Sequence, residues 1–578
     1  MSIVVQKFGG TSVADAERIK QAAAKMIRAK EQGHQVVTTV SAQAGMTDQL
    51  LDLAREITPN PDPRELDMLV STGEQMSIAL VCMTLHSMGQ EAISLTGGQV
   101  GIITDGAHTN ARIRSIRTTR IKRELDRDRI VVVAGFQGMN DDGFITTLGR
   151  GASDLTAVAL AAALKADLCE IYTDVDGIYT ADPRVEPRAC KLDAVSHDEI
   201  LELSSVGARV VHSRAIEVAK KFHVPVCVRS TFNDDPGTVI CREITGFDGV
   251  PVCGAALSMN ESRITFEGLP NKPGAASRVV GAIGEGNINI DMIVQSFPTG
   301  GKADLSILVK DLDLSQALSI CDEIQDEVGA EAVVPEGEIA RVSAVGRGMA
   351  SQPGIAATLC RALGERGINI KMFTTSEINI SVVVDSEHGE AGLNALHEAF
   401  QLHDLPTAVP KIDAPSNIPV AEIETVEGLH VQDVLLDPDQ AELKIPSVED
   451  RPGAAAELLD AVADAGINLD VVLQTSCESG ISITMHQDDV ERAKQAIDAM
   501  PSHKDREPAV IGTGITKVSI SGVGLRSHAG AASKVFGSLA RAGINLQMIG
   551  TSEAKISVVV DAADGERAAA TLRNEFDL

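Results

Sequence analysis

The chain has 578 residues, 23% of them charged, and a formal net charge of −30; at about 150 residues per domain it should hold roughly three to five domains. That acidity, with 2% aromatics and no Trp, excludes a general nucleic-acid binder, which needs clustered Lys and Arg and platforms for base stacking. No stretch approaches the roughly 18 uninterrupted apolar residues that would span a bilayer.

The start, Met1-Ser2-Ile3-Val4-Val5, enters a strand-like run at once and leaves no room for a signal or transit segment, so a cytoplasmic location is expected. Up to about residue 245, Ile3 to Gln6, Val36 to Val40, Ala92 to Leu95, Ile130 to Ala134, Leu168 to Tyr172 and Val224 to Val228 read as strands. Ala14 to Lys30, Glu74 to Met88 and Asp154 to Leu164 read as helices between them. Continuous Val/Ile runs suit strands buried on both faces of a parallel sheet with helical crossovers, so an α/β sandwich is predicted. The basic run from Arg112 to Arg129 reads as a solvated helix face. The nine cysteines form no Cys-x-x-Cys pair and read as buried free thiols.

Beyond residue 250 the chain repeats itself four times. Lys272-Pro273-Gly274, Gln352-Pro353-Gly354, Arg451-Pro452-Gly453 and His528-Ala529-Gly530 each precede an Ala-rich helical stretch that ends in Gly-Ile-Asn or, in the first copy, Asn-Ile-Asn. The tail Thr375-Ser376-Glu377 recurs as Thr551-Ser552-Glu553, 176 residues later, the same interval that separates Gly354 from Gly530. Two units were therefore duplicated as a pair, and each reads as βαββαβ. The fourth copy lacks the x-Pro of the others, so its helix start is expected to be less rigid. Residues 404–429 carry four prolines and read as a connector.

Three loops carry candidate chemistry. In Lys7-Phe8-Gly9-Gly10-Thr11-Ser12 a strand enters a glycine turn that opens a helix, where backbone N–H groups can face an anion and Lys7 adds a positive charge; a plain helix cap fits the same residues. Thr147-Leu148-Gly149-Arg150-Gly151-Ala152-Ser153-Asp154 brings a guanidinium, suited to gripping a carboxylate, to a second helix start. The loop from Thr173 to Arg184 follows a strand end, where α/β sheets hold ligands, although its carboxylates also serve as turn formers. Gly346-Arg347-Gly348 and Gly522-Val523-Gly524 occupy matching repeat positions and read as structural loops, not dinucleotide fingerprints.

Together with Ser41-Ala42, Gly73-Glu74 and Gly135-Phe136, these segments resemble the aspartokinases of the amino-acid kinase family, and the repeats resemble ACT domains, modules that bind amino acids between paired copies. The resemblance implies a three-layer amino-acid kinase sandwich with a mostly parallel central sheet over 1–245. It also implies ACT pairs over 246–403 and 430–578, four ferredoxin-like (βαββαβ) modules in all, joined by the connector. The activity implied is phosphorylation of L-aspartate with ATP and Mg²⁺. A β-carboxylate with a reference pKa near 3.9 is already ionised at neutral pH, so such a site needs positioning and charge neutralisation and no general base.

In that reading Lys7 and Asp154 would be catalytic. Lys7, Gly9, Gly10, Tyr172, Thr173, Asp174, Tyr179, Arg184 and Arg209 would hold the nucleotide, Arg209 standing where many members of the family carry Lys. Ser41, Thr47, Glu74, Phe136, Arg150 and Ser153 would hold aspartate, with Arg150 on its α-carboxylate and Glu74 on its ammonium. No metal site built from the protein alone is expected. Lysine and threonine are the implied effectors. The first pair would hold them with Asn271, Gly274, Ala275, Asn289, Ile290, Asp291 and Gln295, opposite Asn369, Ile370, Thr374 and Glu377. The second would use Asp450, Gly453, Ala454, Asn468, Asp470 and Gln474, opposite Asn545 and Glu553. A homodimer is expected, and neither nucleic acid nor a membrane is an expected partner. A glutamate or carbamate kinase lacks this combination of Glu74, Arg150 and a four-copy tail, while intact Lys7, Arg150 and Asp154 oppose a non-catalytic sensor. The repeats consume residues 250–578, which leaves no room for a dehydrogenase domain.

Overall fold

The apolar runs of the first 245 residues assemble into one eight-stranded sheet, in spatial order Ala194–Ser196, Thr238–Cys241, Val226–Ser230, Leu168–Thr173, Ile3–Phe8, Gln35–Val40, Ile130–Ala134 and Ala92–Leu95. This computed structural model describes residues 2–578 except 206, 208–209, 247–248, 287, 297, 299, 350–351, 412–425, 447, 475–479, 504–505, 526–527 and 529. All neighbours in the sheet run parallel except Val226–Ser230 against Thr238–Cys241. Strand residues alternate between two helical layers. Val5, Val37, Val131 and Val133 pack with Leu155 and Ala159 of the Ser153–Leu164 helix. Phe8, Val36, Val40 and Val132 pack with Ile19, Met26, Ile78 and Leu85 of the helices Ala16–Glu31 and Thr72–Ser87. The three-layer sandwich is thus present, and its predicted strands and helices lie within two residues of their predicted ends.

A second sheet of four short strands, Ile113–Ile116, Ile102–Thr104, Gln137–Met139 and Ile145–Thr147, has no sequence signal, because three- and four-residue strands are too short to show a period. It corrects the reading of the basic run. Ile113–Ile116 is a strand, only Thr119–Leu125 is helical, and Arg120, Arg123, Arg127 and Arg129 converge on the fully buried Glu124. The stretch Pro63–Ser87 is helical and apolar enough to cross a membrane by length and composition, yet it buries Asp67 and Glu74 and packs Ile78, Val81 and Leu85 on the sheet, as a core helix does. All eight described cysteines are free, and seven are buried.

Each repeat helix opens on a glycine with left-handed backbone: Gly274 (φ 96°), Gly354 (φ 87°), Gly453 (φ 85°) and Gly530 (φ 117°). The fourth copy therefore keeps the same helix start without its proline. The copies interleave within each pair. Gly254–Ser258 extends the second copy through Val345–Arg341, whereas Glu261–Pro270 pairs with Lys310–Lys302 of the first. The pairs then lock together in a manner the sequence does not announce. Val294 and Gln295 of the first copy lie antiparallel to Gly550 and Ile549 of the fourth, and Phe373 and Thr374 of the second lie antiparallel to Gln474 and Leu473 of the third. Twelve strands close into one barrel. Met292, Met372, Met548, Leu308, Val383 and Val559 fill it, with the buried Arg341–Glu261 pair among them.

Candidate active site and effector clefts

Because Ile3–Phe8 lies between Gln35–Val40 and Leu168–Thr173, the loops leaving all three strands meet at one sheet end. Phe8 turns to one layer, its ring stacked on Tyr172 at 4.8 Å. Lys7 turns to the other, where its Nζ lies 2.8 Å from Asp154 Oδ1 at the start of the Ser153–Leu164 helix, with both side chains about nine-tenths buried. The second oxygen of Asp154 accepts the His212 N–H at 3.2 Å. Beneath Lys7 the turn is bare of side chains: a Cβ on Gly9 would sit 3.3 Å from Lys7 Nζ, and one on Gly10 would sit 2.7 Å from the Ala42 carbonyl oxygen. A cation over a glycine backbone free of side chains, at the short 3-10 turn Gly10–Val13, is an anion site in form.

Across Ala42 lies Glu74, 3% exposed. Its Oε1 accepts the Ala42 N–H at 3.1 Å, and its Oε2 is buried with no hydrogen-bond partner among the described residues. Burial pushes this carboxyl up to about 7. Ser41 is held next to it by its N–H on the Phe8 carbonyl. Phe136 has a left-handed φ of 67°, a strain of order 1–3 kcal/mol for a non-glycine residue. Its N–H on Thr156 Oγ1 and its carbonyl on the Leu148 N–H hold it there. A Cβ on Gly135 would strike Ser153 Oγ at 2.7 Å, so Ser153 is pressed against the same backbone. Gly149 (φ 93°) and Gly151 (φ 82°) supply the turns that lift Arg150 to the rim, where it is exposed and ion-paired with Asp48, the neighbour of Thr47.

The loop after Thr173 is closed on itself: Thr173 Oγ1 donates to Asp174, Tyr179 O–H to Asp176 at 2.8 Å, and the exposed Arg184 to Asp182. Tyr172 departs from its predicted role. Paired in register with Phe8, it buries its ring, and only its carbonyl reaches the site, accepting the Gly9 N–H. Arg209 lies outside the described residues. Two buried groups carry no sequence signal, because their partners are distant in the chain. Asp67 accepts from His108 Nδ1, the Thr109 N–H and Thr147 Oγ1 beneath the Arg150 loop. Arg214 holds the Leu148 carbonyl at 2.5 Å.

In the repeats the predicted effector residues are regrouped by the strand pairing. Asn545 Nδ2 donates to Asn271 Oδ1 and Gln295 Nε2 to the Leu546 carbonyl, so Asn545 faces the first copy and not the third. Asn369 Nδ2 donates to Asp450 Oδ1 at 2.6 Å, facing the third copy and not the first. Ile370 is buried in the core shared by the second and third copies. Asn289, Ile290, Asp291, Thr374 and Glu553 line one cavity of about 80 Å³. Asn271, Gly274, Ala275, Gln295 and Asn545 line a smaller one of about 10 Å³. Gly354, Glu377, Asn468 and Asp470 line a third, of about 270 Å³, between the second and third copies. Gln474 lies opposite Phe373 at that joint, and Gly453 opens the helix that continues through Ala454.

The amino acid kinase family model matches residues 2–230, and the ACT domain model matches 264–324, 342–400, 447–500 and 518–576. An aspartokinase of Mycolicibacterium smegmatis is 46% identical over 407 residues, which are 70% of this chain and 97% of that protein. The chain belongs to the aspartokinases of the amino-acid kinase family. As a member it is an ATP-dependent kinase acting on aspartate. The solved aspartate kinase from Synechocystis aligns over 100% of this chain and 98% of its own, with 38% identity and a TM-score of 0.52. E. coli aspartokinase III in complex with aspartate and ADP (R-state) aligns over 69% of this chain and 99% of its own, at 27% identity and a TM-score of 0.60. The same enzyme in complex with lysine and aspartate (T-state) aligns at 26% identity and a TM-score of 0.54. For an aspartokinase site the geometry brings together Lys7, Gly9, Gly10, Asp154, Ser153, Ser41 and Glu74, and leaves Arg150 and Arg184 outside, paired with exposed carboxylates.

Proposed function

We propose that the chain transfers the γ-phosphate of ATP to the β-carboxylate of L-aspartate, giving 4-phospho-L-aspartate and ADP, the first step towards lysine, threonine and methionine. The observation that carries this reading is the half-satisfied Glu74 carboxyl set beside a glycine turn that is capped by Lys7. The substrate ammonium sits on Glu74 Oε2, which returns that carboxyl to its ionised form. Arg150 exchanges Asp48 for the α-carboxylate, an exchange of low cost because an exposed ion pair is worth only about 0–1 kcal/mol. Ser41, Thr47, Phe136 and Ser153 shape the remainder of the acceptor pocket, and Thr173, Asp174 and Tyr179 face the nucleotide.

The β-carboxylate oxygen attacks the γ-phosphorus, the bond to the β-phosphate oxygen breaks, and ADP leaves. Lys7 follows the charge on the transferring group, steadied by Asp154, which is held in turn by the His212 N–H. Mg²⁺ ordinarily reaches such sites on the nucleotide phosphates, needing only one or two carboxylates from the protein. The residues fit that mode: Asp154 beside Lys7 and Asp174 in the nucleotide loop would offer the ion a carboxylate. The ion supplies neutralisation of the phosphate charge.

Lysine and threonine act as feedback inhibitors at the clefts between the first and fourth and between the second and third copies. Lysine accompanies aspartate in the T-state E. coli enzyme. A route from cleft to kinase exists in Glu202, whose two oxygens accept the Glu553 N–H and Asn379 Nδ2. The test is an acyl-phosphate trapping assay with hydroxylamine over aspartate and glutamate, repeated with lysine, threonine and both. Aspartate-dependent hydroxamate is expected, and it should be abolished in a folded Lys7→Ala variant. A variant with near-normal turnover, or complete indifference to both amino acids, would remove the corresponding half of the reading.

A further inference from the structure

The connector between the second and third repeats ends inside the kinase domain. Val426 is buried in the kinase core, its N–H on the Arg114 carbonyl. Glu427 follows and bonds Ile113 twice: its N–H donates to the Ile113 carbonyl, and its side-chain Oε2 accepts the Ile113 N–H at 2.7 Å. Its Oε1 accepts Arg214 Nε at 2.6 Å, with the two side chains 4% and 8% exposed. All three guanidinium nitrogens of Arg214 are committed. Nη1 donates to the Leu148 carbonyl at 2.5 Å and to Asn110 Oδ1 at 3.1 Å, and Nη2 donates to the Ala111 carbonyl at 2.7 Å.

Leu148 is the root of the Gly149-Arg150-Gly151 turn, and its N–H holds the strained Phe136. Two residues before Arg214, the His212 N–H holds Asp154. A buried guanidinium needs a partner carboxylate, and here that partner comes from outside the kinase domain. We propose that Glu427, acting through Arg214, is a positioning residue for aspartate: it fixes the turn that carries Arg150, so a residue of the regulatory connector completes the substrate site. The strand His430–Ile445 begins three residues later and its first half, His430–Asp437, pairs with Val523–Lys517 of the fourth repeat, so displacement of that repeat pulls directly on the pin.

The proposal rests on the assignment of Arg150 to the substrate carboxylate, and Arg150→Ala is therefore the control. In the full-length enzyme, Glu427→Ala is expected to raise the KM for aspartate about tenfold to a hundredfold while leaving the KM for ATP within about twofold, with Glu427→Gln intermediate because it retains an acceptor for Ile113. If Glu427→Ala does not fold, Arg214→Lys, which keeps the charge but cannot span Leu148, Ala111 and Glu427 together, is read in the same way. An unchanged KM for aspartate, or equal rises in both KM values with a lowered melting temperature, overturns the proposal. If Arg150→Ala leaves the KM for aspartate unchanged, the assignment of Arg150 fails; if it raises that KM and Glu427→Ala does not, only the positioning role fails.

Discussion

At Glu74 one carboxyl oxygen accepts the Ala42 N–H while the other is buried with no hydrogen-bond partner among the described residues, and burial holds the group near 7. A raised carboxyl binds its proton more tightly folded than unfolded. Its contribution to stability is full below the unfolded value of 4.5 and is lost as pH rises to about 7. Glu74→Gln is therefore expected to stabilise the unliganded enzyme at pH 8 by up to about 3 kcal/mol, read by urea denaturation, and to raise the KM for aspartate sharply. In the native enzyme kcat/KM for aspartate should climb as pH passes about 7, and this limb should vanish in Glu74→Gln; a limb that persists would assign the titration elsewhere. Lys7 and Asp154 were legible in the sequence because one ends a strand at a glycine turn and the other opens a helix. Tyr172 was not. The same run marks it as a strand end, but only the in-register pairing with Phe8 decides that its ring enters the core.

Among the elements, the four helix starts were readable, since each needs a glycine at left-handed φ. Their partners were not readable, because each of the four repeats presents a short apolar edge strand at the same place, Met292–Gln295, Met372–Thr375, Val472–Gln474 and Met548–Thr551. The joints also differ in tightness. A Cβ on Gly364 would lie 2.7 Å from Gly453 Cα and 2.9 Å from its nitrogen, a clash with backbone, whereas at Gly281 the nearest atom is Ser533 Oγ at 3.5 Å. Gly364→Ala should therefore cost about 1–3 kcal/mol and disable the response to whichever effector occupies the cleft between the second and third copies, while Gly281→Ala should leave inhibition nearly intact. Inhibition curves and melting temperatures of the two variants would check this, and equal behaviour would contradict the packing described.

For the whole molecule, closing twelve strands within one chain consumes the edges that paired repeats otherwise present. Ending the chain at residue 403 would bare Met292–Gln295 and Met372–Thr375, which pair with the fourth and third copies. Such a truncation is expected to self-associate with concentration in sedimentation, and a strictly monomeric truncation would show that these edges do not drive assembly. The sequence by itself determined the kinase sandwich, the four repeats and the glycine turns and helix starts that border the candidate site, because those rest on local patterns: buried apolar runs, turn glycines and helix caps. Only the tertiary structure decided which repeats share a cleft, which way Tyr172 and Arg150 point, and that Glu427 enters the kinase domain. Those outcomes depend on contacts between residues tens to hundreds of positions apart, where strand register and burial, and not local propensity, select the partner.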